Sequence, residues 1–110
     1  MYEVKIDEAL MAEVVRRLVV ASEPERIILF GSRARGENRP DSDLDLLLVK
    51  NCPGATRALE ARAYAALGGL ALPVDILCYT PSEIEKWSTS PNHVISRAMR
   101  EGRILYEQRR

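Results

Sequence analysis

Gly31-Ser32-Arg33-Ala34-Arg35-Gly36-Glu37-Asn38-Arg39-Pro40-Asp41-Ser42-Asp43-Leu44-Asp45 is the stretch on which the reading of this 110-residue chain turns. Before it, Arg26-Ile27-Ile28-Leu29-Phe30 is a short apolar run suited to a buried strand, and Gly31 ends it. After it, Leu46-Leu47-Leu48-Val49 continues a second strand that is apolar on both faces. Alternate residues of a strand share a face, with Cα atoms about 6.6 Å apart. Asp43 and Asp45 therefore converge on one side, while Leu44 and Leu46 turn to the other. Two acids at the entrance of such a strand are costly unless they are solvated or matched by a cation.

The residues between the strands suggest what the acids are for. Glycine at position 31 lets the backbone approach a ligand closely. Ser32 is expected to cap a short helical turn through Arg33, Ala34 and Arg35, which Gly36 stops; a polar loop then runs to Pro40. Backbone N–H groups at a helix start favour a phosphate, and Arg33 and Arg35 add positive charge nearby. Taken singly, a Gly-Ser turn is commonplace and a pair of strand acids marks no more than a solvated face. Together they form a phosphate-cradling turn beside aimed carboxylates, which is what a magnesium nucleotide requires.

A third acid completes the set. Pro73-Val74-Asp75-Ile76-Leu77-Cys78-Tyr79 is another strand candidate, and its pairing with residues 43–49 in either direction would bring Asp75 beside the first two. Alone, Asp75 could equally be an edge or structural acid. Three hard oxygen donors suit Mg²⁺, with Mn²⁺ as the alternative. Two such ions about 3.5–4 Å apart would clamp the attacking and leaving oxygens of an in-line phosphoryl displacement. Asp43, Asp45 and Asp75 are thus the candidate catalytic and metal-binding residues, and Asp75 could instead accept the proton of an attacking hydroxyl. Gly31, Ser32 and Arg33 are the candidate nucleotide-binding residues, although a solvated surface role explains Arg33 equally well.

The remaining sequence supplies a scaffold. Leu10, Met11, Val14, Val15, Leu18 and Val19 recur at helical spacing after Asp7, a candidate cap. Lys50 to Ala55 is rich in turn residues, and Thr56 opens an alanine-rich helix with Leu59, Ala63, Ala66 and Leu70 on one face. Thr80-Pro81-Ser82-Glu83 combines a cap, a proline at the first helical position and an acid at the third, so a short helix should run through Trp87. Ser90-Pro91 is read as the start of another helix that Gly102 closes, with His93 in its exposed first turn. The order of elements implies an α/β fold, a small mixed β-sheet with helices mainly on one side, within one domain spanning residues 1–110.

An apolar share of 46% is enough for one real core at this length. Sixteen acids balance sixteen bases, which argues against broad nucleic-acid binding through phosphates. No apolar run approaches the roughly 20 residues of a membrane span, and the start lacks the layout of a signal peptide, so a cytoplasmic location is expected. Cys52 and Cys78 have no metal-ligand spacing, and no disulfide is expected. An exposed strand edge or the last helix leaves homo-oligomerisation open.

The run Gly31-Ser32-Arg33-Ala34-Arg35-Gly36, followed by Ser42-Asp43-Leu44-Asp45-Leu46, resembles the signature of the minimal nucleotidyltransferases of the DNA polymerase β superfamily. Val74-Asp75-Ile76 falls where that family carries its third carboxylate, and Glu101-Gly102-Arg103-Ile104-Leu105-Tyr106-Glu107 is similar to its C-terminal segment. The resemblance spans residues 26–107 and implies the nucleotidyltransferase fold, ATP as substrate and Mg²⁺ as cofactor. Stand-alone members of the family commonly serve as antitoxins to HEPN-domain RNase toxins. They silence the toxin by transferring AMP to one of its tyrosines. The resemblance therefore implies a HEPN-domain toxin as partner. Read from the residues, Trp87 and the mixed segment 80–93 are a candidate docking surface, with a partly buried core tryptophan as the favoured reading of Trp87. A non-catalytic antitoxin acting by contact, or an enzyme acting on a small-molecule hydroxyl or a nucleic-acid end, are the alternatives.

Overall fold

The structure is a computed structural model that describes residues 7–37 and 43–108. Pro40 and Ser42, which the sequence reading uses, lie outside the described residues. The element order is α1 (Glu8–Ser22), β1 (Arg26–Phe30), β2 (Leu44–Val49), α2 (Thr56–Ala66), β3 (Val74–Tyr79), α3 (Pro81–Trp87), α4 (Val94–Glu101) and β4 (Arg103–Glu107). The strands form one four-stranded sheet in the order β3-β2-β1-β4. β1 pairs antiparallel with both β2 and β4, whereas β2 and β3 run parallel, so the sheet is mixed.

Local chemistry fixes the helix ends. The Asp7 carboxylate accepts from Leu10 N–H at 2.9 Å and opens α1. Glu23 closes it in the left-handed region at φ 46°, its N–H donating to the Val19 carbonyl. Thr80 and Glu83 form the expected reciprocal capping box at the start of α3. The last helix departs from expectation. It begins at Val94, not Ser90, because Asn92 at φ 64° interrupts the chain and His93 Nδ1 takes the capping role by accepting from Ile95 N–H. The His93 ring then stacks on Trp87, with centroids 4.6 Å apart.

Helices cover both faces of the sheet, which corrects the expectation that they lie mainly on one. Ile27 and Leu29 of β1 and Leu44, Leu46 and Leu48 of β2 point to a layer made by α1 and α2, with Val14, Leu18, Leu59 and Ala63. Ile28, Phe30, Leu47 and Val49 point the other way, to Ile84 of α3 and Ile95 and Ala98 of α4. The two central strands are therefore apolar at nearly every position, because both of their faces are buried. Each fully buried aliphatic side chain contributes about 1.5–3 kcal/mol.

β4 was not anticipated as a strand. It follows Gly102, where there is no room for a side chain: a Cβ would collide with the Ala98 carbonyl and the Ile28 side chain. A register shift opposite Ile27 and Ile28 then puts both Leu105 and Tyr106 against the α1 layer. This bulge erases the period of two by which a strand is recognised.

Candidate active site

Asp45 occupies the second position of β2, and its Cα partners are Phe30 of β1 on one side and Asp75 of β3 on the other. Asp75 is likewise the second residue of its strand. Parallel, in-register pairing thus sets the two aspartates side by side at the entrance of neighbouring strands. Both belong to the face of Leu47 and Val49, since Leu44, Leu46 and Ile76 turn to the α1 layer. Asp43 lies two residues before Asp45 and is exposed, as is Asp75, while Asp45 is half-buried. α3 and α4 cover the apolar part of this face and leave its acidic end open.

Electrostatics tie the three acids together. Burial pushes the Asp45 carboxyl above its ordinary range, the carboxylates of Asp75 and Asp43 push it further, and the Arg35 guanidinium pulls it back. The protein thus concentrates negative potential on a partly desolvated group and compensates it incompletely. Among the described residues, however, no three acidic, histidine or cysteine side chains are arranged as they stand to hold a metal ion. The donor set itself fits a hard divalent cation, with three carboxylates of one sign and no sulfur or imidazole among them.

The turn after β1 lies directly against this site. Gly31 has φ +77°, a region that side chains resist, and a Cβ there would collide with the Asp45 carboxylate. Close approach between backbone and carboxylate therefore demands glycine for two separate reasons. The Gly31 carbonyl accepts from Ala34 N–H at 3.1 Å and Arg35 N–H at 3.3 Å, and the Ser32 carbonyl accepts from Glu37 N–H at 2.9 Å. These bonds close a single compact turn over the residues expected to form one. Gly36 at φ +81° ends it before a helix can propagate.

The two arginines of the turn diverge. Arg35 Nη1 contacts Glu101 of α4 at 2.9 Å and Arg35 Nη2 contacts Glu37 at 3.2 Å, so Arg35 ties the turn to the helix behind it. Its charge is the one that reaches Asp45. Arg33 lines a cleft of about 250 Å³ with Asp7, Met11, Leu29, Arg103 and Leu105, on the α1 side of the sheet. The structure thus brings together Gly31, Asp43, Asp45 and Asp75, with Ser32 in the same turn, and sets Arg33 toward a different layer.

Tyr64 of α2 is a site neighbour that the sequence reading missed. Its hydroxyl donates to Asp75 Oδ1 at 3.2 Å and accepts from Ile76 N–H at 2.8 Å. Burial and the Asp75 carboxylate hold the phenol above its ordinary range against the opposing pull of the Ile76 amide, so it remains a donor at neutral pH. One signal was available in the sequence: Tyr64 is a large aromatic lying off the Leu59–Ala63 face of its helix.

Cavity size would have pointed elsewhere. A cavity of about 720 Å³ lies at the other end of the sheet, by Glu25, Lys50 and Gln108. An apolar groove of about 560 Å³ runs between α1 and β4, past Met11, Val15, Val19 and Leu105. The acids lie in neither.

A mixed sheet with aspartates at the entrances of two parallel strands, beside a glycine turn, defines a protein of the nucleotidyltransferase class. The family profile described as the nucleotidyltransferase domain matches residues 10–105, and the chain belongs to that family. Among solved structures, a proposed minimal nucleotidyltransferase is 32% identical with a TM-score of 0.59, the match covering 87% of this chain and 92% of that one. A proposed nucleotidyltransferase from Sulfolobus solfataricus shares the fold at 18% identity and TM-score 0.54, covering 94% and 91%. A chain from a crystal structure of a toxin-antitoxin with AMP-PNP shares it at 20% identity and TM-score 0.56, covering 90% of this chain and 74% of its own. A search of curated protein sequences gave no match. Among the described residues, no helix is long and apolar enough to cross a membrane.

Proposed function

We propose that this nucleotidyltransferase transfers AMP from ATP to a hydroxyl of a partner protein, a tyrosine of a HEPN-domain toxin, and so acts as its antitoxin. The observation that carries the reading is the in-register pairing of Asp45 with Asp75 beside the close-packed Gly31 turn. Similarity to a toxin-antitoxin structure holding an ATP analogue supports both the nucleotide and the partner. The acids also lie at an open end of the sheet and not in a closed pocket, which suits a macromolecular acceptor.

Gly31 and Ser32 would bind the β- and γ-phosphates through the backbone, with the whole chain acting as one nucleotidyltransferase domain. Asp43, Asp45 and Asp75 would hold Mg²⁺, which when bound neutralises the triphosphate and the charge that develops during transfer. The acceptor hydroxyl attacks the α-phosphorus, a new O–P bond forms, the bond to the β-phosphate oxygen breaks and pyrophosphate leaves. Asp75 would either share the second metal ion or accept the hydroxyl proton. Two unpaired cysteines, Cys52 and Cys78, suit a reducing cytoplasm, where ATP is plentiful.

Label transfer from α-³²P-ATP with Mg²⁺ into a lysate or a co-expressed HEPN-domain protein tests this. The wild type should label one protein band, and the Asp43→Asn, Asp45→Asn double variant should not. Mass spectrometry should place AMP on a tyrosine. Toxin neutralisation by that double variant, without label, would instead make the chain a contact-only antitoxin.

A further inference from the structure

β3 is an edge strand, and an edge with unpaired N–H groups invites association with other chains. Here α2 covers that edge with two side chains four residues apart. Tyr64 Oη accepts from Ile76 N–H at 2.8 Å and Glu60 Oε2 accepts from Cys78 N–H at 3.0 Å. The two contacts are equivalent for the sheet and unequal for the site. Glu60 closes the edge and adds its charge to the surroundings of the Tyr64 phenol, without a hydrogen bond to Asp75. Tyr64, which is 42% exposed, reaches in addition to Asp75 Oδ1 at 3.2 Å.

A phenol has a single proton to donate. Because the Tyr64 oxygen is already an acceptor for the strand amide, its proton is left for the carboxylate. The hydroxyl thereby links the orientation of the Asp75 side chain to the backbone of the strand that carries it. We infer that Tyr64 is a positioning residue: it fixes one oxygen of Asp75 and leaves the second for a divalent cation or the acceptor hydroxyl. The inference rests on the nucleotidyl-transfer reading, in which Asp75 is a ligand or base, and adds a residue of α2 to that site. Hydrogen-bond partners of ligating groups typically change metal affinity by about 10- to 100-fold when removed.

The test is Mn²⁺ binding, followed by the electron paramagnetic resonance of free Mn²⁺ in the presence of a non-hydrolysable ATP analogue. Four proteins are compared with the wild type: Tyr64→Phe, Glu60→Ala, Asp75→Asn and the Tyr64→Phe, Asp75→Asn double variant. Tyr64→Phe keeps the ring and should weaken Mn²⁺ binding about tenfold. Glu60→Ala removes an edge contact of the same kind and should bind Mn²⁺ like the wild type. In the Asp75→Asn background, Tyr64→Phe should have no further effect, since it acts through that carboxylate. In turnover, Tyr64→Phe should lower kcat with little change in the KM for ATP. Wild-type Mn²⁺ affinity in Tyr64→Phe would overturn the inference and leave Tyr64 an edge cover. Equal losses in Tyr64→Phe and Glu60→Ala would overturn it too, by assigning the effect to the sheet edge. Absence of Mn²⁺ binding by the wild type would overturn the nucleotidyl-transfer reading together with this one.

Discussion

Asp45 shows at a single residue how a site can work against the fold that holds it. Its carboxyl is raised above the ordinary range by burial first, then by Asp75 and Asp43. A raised folded-state pKa means that the stability Asp45 contributes is present below the ordinary carboxylate range and is lost as pH rises through the folded value. Asp45→Asn should therefore abolish nucleotide transfer and yet raise Tm at pH 7–8 by about 1–3 °C, a figure reduced for solvent screening at a half-exposed group. Thermal scans across pH check the sign, because the gain should shrink as pH falls and vanish below the ordinary carboxylate range, where both side chains are neutral. Mg²⁺ with a non-hydrolysable ATP analogue should reverse the ranking, by stabilising only the wild type. Gly31 makes the complementary case. Gly31→Ala places a methyl group against the Asp45 carboxylate at φ +77°. A loss of about 1–3 kcal/mol in denaturant titration is expected from the backbone conformation, with transfer falling about a hundredfold as the turn is displaced.

At the scale of elements, the signals that survived into the structure are those with a short-range cause. Thr80 caps α3 through a hydrogen bond to Glu83 N–H at 3.2 Å, and Glu83 Oε1 accepts in return from Thr80 N–H at 2.9 Å. Thr80→Ala should lose about 1 kcal/mol and lower Tm by about 4–6 °C in calorimetry, with activity retained. That box was legible in four consecutive residues, as were β1, β2 and the start of α1. Elements decided by tertiary contact were not legible. β4 is short and bulged at Leu105, and it is held by β1 on one edge only. The α4 boundary depends on His93 capping its own helix while stacking on Trp87. The same division runs through the site. The spacing of Asp43 and Asp45 predicts their shared face, whereas the partnership of Asp75 with Tyr64 needs α2 folded along the edge of β3.

For the whole molecule, the decisive feature is that the two helical layers share one sheet. Leu46 and Leu48 face α1 and α2, while Leu47 and Val49 of the same strand face α3 and α4. Removing packing on one side should then be felt on the other, since β2 cannot lose one face and keep its register on the opposite one. Trp87, the single tryptophan, lies against the α3–α4 layer and reports on that side alone. Leu46→Ala opens a cavity in the α1–α2 layer and should destabilise the protein by about 2–5 kcal/mol. If the layers form one cooperative unit, Trp87 fluorescence and far-ultraviolet circular dichroism will shift to the same lower denaturant midpoint in this variant. A fluorescence midpoint left at its wild-type value would mean that the α3–α4 layer holds together without the other. The Arg35–Glu101 pair would then anchor the Gly31 turn to a body that moves separately from the strand carrying Asp45. Coincident midpoints fit a site whose turn and acids are held in a single rigid frame, as in-line transfer between a fixed triphosphate and an incoming hydroxyl demands.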